Sequence, residues 1–94
     1  MNQYDQLCEL YLQCRRSLLS LYECLILAKA NFDRNIRLIR ILNRCRRVVV
    51  LSENIQPCRS KSIRENIKLV VKLHNIIDVL YTKGSAIVNE LISE

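Results

Sequence analysis

The sequence predicts an all-α protein with a single domain. Half of its 94 residues are apolar, and they recur at spacings of three and four over most of the chain. One glycine and one proline leave few positions for the tight turns that connect the strands of a sheet. A domain this small buries only about 60–65% of the surface that its unfolded chain exposes. Its own core is therefore predicted to be marginal.

The first helix is predicted to run from about residue 3 to about residue 52. Its apolar seam extends from Tyr4 to Val49 with the alternating spacing of a heptad repeat. The alternative is a break near residues 30–34, where Asn31 and Asp33 could cap a new helix and produce a three-helix bundle. One continuous helix is the simpler prediction, because the seam keeps its phase across this segment.

A second helix is predicted over residues 63–92, after a loop at residues 53–62 that contains Pro57. Ser62 and Glu65 have the spacing of a capping box, in which the Ser62 hydroxyl accepts a hydrogen bond from the Glu65 amide. Gly84 has two interpretations: it ends the helix, or it makes room for Phe32 across an antiparallel hairpin. Residues 1–94 are thus expected to form one helical module, a long antiparallel hairpin resembling a coiled coil.

The N-terminal part of the first helix is predicted to extend beyond the second helix. The apolar residues of this overhang, the N-terminal seam, are Tyr4, Leu7, Tyr11, Cys14, Leu18 and Leu21. An exposed stripe of this size exceeds what monomers usually leave uncovered. We therefore expect the N-terminal seam to dock onto other helical subunits, in a hetero-oligomer or, alternatively, in a homo-oligomer.

Arginine and aliphatic residues alternate between residues 35 and 50. Four arginines, the arginine face, lie within about 80° of one another on a helix and point away from the seam: Arg37, Arg40, Arg44 and Arg47. Each guanidinium presents a planar fork that matches a carboxylate or a phosphate. Three interpretations remain open: a solvated helix surface, a site for an acidic protein, or a site for nucleic acid or anionic lipid.

Polar residues interrupt the predicted seams at Asn35, Arg46 and Asn66. A charge at the middle of an apolar face is costly unless it is paired. Arg46 is therefore expected to meet Glu65 or an acid of a partner chain, or else to extend along the helix to solvent. In a seam, all three residues could fix the register and the choice of partner.

The sequence offers no residue set for catalysis, for metal binding or for a cofactor. Its five cysteines form no C-x-x-C pair, and His74, the only imidazole, is expected to be packed or half-exposed. No glycine-rich phosphate loop and no nucleophile elbow are found. The cysteines fit small buried apolar residues in a reducing compartment, and no signal peptide or membrane span is recognisable. We expect a non-enzymatic protein of the cytoplasm or the nucleus.

Together these patterns predict a scaffold or adaptor subunit that assembles with other helical chains through coiled-coil seams. The arginine face would serve an acidic partner. The alternative is a nucleic-acid-binding protein that uses the same arginines, for which four phosphate contacts predict a log–log salt slope of about −3 to −4.

Overall fold

A computed structural model describes residues 2–93, and three α-helices account for most of them: α1 (Gln3–Asn31), α2 (Ile36–Glu53) and α3 (Ile63–Ser93). The prediction of an all-α fold is confirmed. The prediction of one continuous helix over residues 3–52 is wrong, and the alternative of a three-helix bundle describes the chain. A long straight helix would leave its N-terminal half uncovered, whereas folding back lets three apolar faces share one core.

The chain leaves α1 at Phe32 and enters α2 at Ile36. The Phe32 N–H still donates to the Ala28 carbonyl, but its backbone angles, φ −133° and ψ 54°, are no longer helical. Asn35 then caps α2, because its side-chain oxygen accepts a hydrogen bond from the Leu38 N–H at 2.9 Å. Asn35 therefore caps the start of a helix. The expectation that it lies in the middle of a seam is wrong.

The core of the bundle combines residues from all three helices. Its fully buried apolar side chains are Leu18, Leu25, Leu38, Leu42, Cys45, Leu73 and Leu80. The Tyr11 hydroxyl donates to the Ser52 carbonyl, which joins the start of α1 to the end of α2. These two helices are thus antiparallel, and the third, which returns after the loop, runs parallel to α1. Grooves lie between α2 and α3 and between α1 and α3.

Gly84 lies inside α3, so the possible break at this position is not observed. A Cβ atom at Gly84 would lie 3.3 Å from Leu21 Cδ1, 3.5 Å from Leu25 Cδ2 and 3.9 Å from Ile41 Cγ1. These neighbours, rather than the predicted Phe32, cover the glycine. Its missing side chain lets α3 approach α1 and α2 at the same level.

Candidate basic groove

The N-terminal seam lies inside the bundle. Leu18 is fully buried, three further members are buried, and Tyr4 and Cys14 are half-buried. The expectation that this seam lacks an intrachain partner is wrong, because the break at residues 32–35 shortens the first helix and lets α3 pack along α1. The docking role assigned to the seam loses its physical basis.

Three of the four residues of the arginine face line a groove between α2 and α3. Arg37, Arg40 and Arg44 come from α2, and Lys83 approaches from α3. The volume of this groove is about 400 Å³. We call it the basic groove, lined by Arg37, Arg40, Ile41, Arg44, Lys83, Ala86 and Ile87. Arg47 continues the arginine face along α2 but is not part of this lining.

The packing of α2 fixes the backbone positions of the three arginines. They recur at intervals of three and four residues, so they share one face and lie about 4.5–6 Å apart along the helix axis. The opposite side of α2 carries the buried residues Leu38, Leu42 and Cys45, which hold the helix against the core. The arginine backbones therefore belong to a rigid element, while their long side chains reach solvent.

Positive charge in the basic groove is only partly neutralised. Arg37 Nη1 lies 2.6 Å from Glu90 Oε2 at one end of the groove, and both side chains are more than half exposed. Such an exposed pair contributes little to stability. Within residues 2–93, Arg40, Arg44 and Lys83 form no salt bridge. Three cations thus surround an apolar floor without an acidic partner.

Arg46 lies at the surface and not at the middle of an apolar face. Its side chain is exposed, and Nε donates to the Tyr22 hydroxyl at 3.1 Å. Of the two alternatives for Arg46, the intrachain carboxylate is not observed within residues 2–93, and the side chain reaches solvent. The reason is the break after α1: α2 starts a new helical phase, in which Cys45 and not Arg46 points into the core.

Asn66 is fully buried and is satisfied within the chain. Its Nδ2 donates to the Cys58 carbonyl at 2.9 Å, and its Oδ1 accepts from the Cys58 N–H at 3.0 Å. The Glu65 N–H donates to Ser62 Oγ at 3.1 Å, as the capping box predicted. Asn66 therefore holds the loop against α3, a role within the chain that its position in the apolar seam does not predict.

A second cleft, between α1 and α3, was missed by the sequence analysis. Its volume is also about 400 Å³, and its lining is Leu10, Gln13, Cys14, Ser17, His74, Ile77, Asp78 and Tyr81. His74 and Asp78 are four residues apart, about one helical turn, so the sequence alone indicates that they lie side by side on α3. Burial raises the pKa of the Cys14 thiol, which disfavours the reactive thiolate. No group of three potential metal ligands is found within residues 2–93.

Lys83 was missed for a different reason. Its position beside α2 depends on the register of α2 against α3, and the predicted register assumed a continuous first helix.

None of the described helices is both long and apolar enough to cross a membrane. Comparison of the chain with protein-family models, with curated proteins and with solved structures finds no match in any of the three.

Proposed function

We propose that the protein is a non-enzymatic helical adaptor that binds an acidic amphipathic helix of another chain in the basic groove. The observation that supports this proposal is the set of three cations without acidic partners around an apolar floor. Carboxylates of the partner would pair with the guanidinium groups, and its apolar side chains would pack over Ala86, since Ile41 and Ile87 are already buried in the core. The partner would thereby become the fourth helix of a bundle.

The spacing of the arginines supports a helical partner. Arg37, Arg40 and Arg44 repeat with the period of an α-helix, and a partner helix along the groove repeats its own carboxylates at three and four residues. A nucleic-acid strand presents phosphates but no apolar stripe. It would leave the floor of the basic groove uncovered, so an acidic helix is the better match.

A direct test is calorimetric titration of the full chain with a synthetic helical peptide. The peptide carries glutamate at intervals of three and four residues and leucine along the adjacent stripe. We expect Arg40→Glu with Arg44→Glu to weaken binding at least about ten-fold, because two favourable pairs become repulsive. Binding to the original chain should also weaken as salt is added.

The matched control is Arg64→Glu with Lys68→Glu, which changes the net charge equally on exposed residues outside the groove. This control should bind the peptide nearly as well as the original chain. Equal losses of affinity in both double variants would mean that peptide binding depends only on the net charge of the chain. The assignment of binding to the groove would then be rejected. Binding to duplex DNA with a log–log salt slope of about −3 to −4, without peptide binding, would instead support the nucleic-acid alternative.

A further inference from the structure

The outward side of α1 carries an apolar stripe that the bundle leaves uncovered. Its members are Leu12, Leu19 and Ile26, which are 49%, 38% and 43% exposed. They are seven residues apart and therefore lie on one helix face, over a length of about 21 Å. We call these three residues the outer stripe. It lies on a different helix from the residues of the basic groove.

We propose that the outer stripe joins two copies of this chain in an antiparallel dimer. The stripe is symmetric about Leu19: a two-fold axis there sets Leu12 against the partner's Ile26 and Leu19 against the partner's Leu19. A two-fold interface requires this reciprocity, because the same surface contributes from both copies. The spacing of the outer stripe is therefore compatible with a second copy of the chain as its partner.

The charges beside the outer stripe have the same symmetry. Arg16 and Glu23 are exposed, lie seven residues apart on one flank of the stripe, and have their midpoint next to Leu19. In the antiparallel arrangement, Arg16 faces the partner's Glu23 and Glu23 faces the partner's Arg16, which gives two ion pairs. In a parallel two-fold arrangement this flank lies on opposite sides of the two copies, so Arg16 does not meet the partner's Glu23. Neither residue forms a salt bridge in the part of the chain that the structure describes.

The distribution of charge also favours α1 as the contact between copies. The chain has a formal net charge of +6, which opposes self-association. Residues 1–29 nevertheless carry three basic and three acidic side chains, whereas α2 carries five arginines and only Glu53. Two copies therefore approach with the least repulsion through α1. The basic groove between α2 and α3 would stay open in this dimer, so the proposal is independent of peptide binding.

The area of the outer stripe predicts a weak dimer. A helix face about 21 Å long and 10 Å wide covers about 200 Å² in projection. A standard stable interface buries about 800 Å² on each partner. We therefore expect a concentration-dependent dimer with a micromolar or weaker dissociation constant.

Sedimentation equilibrium of the full chain, from micromolar to millimolar concentration at low salt, tests this dimer. Arg16→Glu and Glu23→Arg should each weaken it about ten-fold, because both symmetric pairs become repulsive. The double variant Arg16→Glu with Glu23→Arg should restore it. An equimolar mixture of the two single variants should also associate, since each supplies the charges that the other needs.

Arg64→Glu is the matched control, because it makes the same charge change as Arg16→Glu on an exposed residue of α3. Both lower the formal net charge from +6 to +4, so general repulsion alone predicts stronger association in both. Weaker association of Arg16→Glu, with no loss in Arg64→Glu, would support the specific contact. A chain that stays monomeric to millimolar concentration, or a double variant that fails to restore the dimer, would overturn the proposal. Circular dichroism establishes that each variant is folded.

Discussion

Buried polar residues illustrate what single positions of the sequence can and cannot predict. The sequence identifies Asn66 as a polar residue in an apolar seam, and it predicts a loop around Pro57. It does not predict that the loop folds back and places both backbone groups of Cys58 against the Asn66 amide. That arrangement depends on the backbone angles of several loop residues, for which periodicity carries no information.

At this scale, we expect Asn66→Leu to lower the free energy of unfolding by about 2–4 kcal/mol. The substitution removes two hydrogen bonds and leaves the Cys58 N–H without a partner, while the Cys58 carbonyl keeps its hydrogen bond from the Lys61 N–H. Urea denaturation followed by circular dichroism measures the change. Asn75→Leu, at an exposed position of the same helix, should change it by no more than about 0.5 kcal/mol. A similarly small change in Asn66→Leu would show that the hydrogen bonds between Asn66 and Cys58 contribute little to stability.

At the scale of the helices, the sequence predicts their existence and faces better than their connection. The start of α3 at Ile63 agrees with the prediction, because Ser62 and Glu65 form a local signal. The heptad pattern does not predict the break between α1 and α2, because a pattern that keeps its phase does not show whether the chain reverses direction. The local signal for the break is Asn35, whose side chain caps α2, although its spacing also fits a seam position.

This reversal changes the expected consequence of a substitution in α1. Leu18 was predicted to be exposed for docking, but it is fully buried against the other helices. We expect Leu18→Asp to cost several kcal/mol and to abolish most of the helical signal, because an unpaired carboxylate would enter the core of a marginal domain. Circular dichroism at increasing temperature measures the loss.

The neighbouring residue provides a control. Leu19 is 38% exposed, and Leu19→Asp introduces the same chemical group one position further along α1. It should leave the helical content unchanged at concentrations where the chain is monomeric. If Leu18→Asp also leaves a folded chain, α1 does not pack as the bundle requires, and a detached first helix becomes the better description.

At the scale of the whole molecule, an apolar core that contains one buried thiol, Cys45, is surrounded by an uneven positive surface. The concentration of charge in the middle of the chain was visible in the sequence, and it led to the arginines of the basic groove. Which helix completes that groove was not visible, because Lys83 and Ala86 come close to Arg40 only through the packing of α2 on α3. The binding of a partner stays a prediction at every scale.

The composition of the core predicts a loss of stability at alkaline pH. Burial raises the pKa of the Cys14 and Cys45 thiols and of the Tyr11 hydroxyl above their ordinary values. The unfolded chain therefore releases these protons at lower pH than the folded chain does, beginning near about pH 8.5 for thiols and pH 10 for tyrosine. Above these values the folded state holds more protons than the unfolded state, so its stability falls as pH rises.

We expect the free energy of unfolding, measured by urea denaturation, to decrease between about pH 8.5 and pH 10. Cys45→Ala should make this decrease shallower, even though it also lowers stability at neutral pH by leaving a small cavity. Cys24→Ala, at an exposed position, should leave the pH dependence as it is. The exposed Cys58 acts in the opposite direction, because a hydrogen bond with Ser60 lowers the pKa of its thiol, but solvent screening keeps that effect small. A pH dependence that is the same in Cys45→Ala and in the original chain would mean that the buried thiol does not control alkaline unfolding.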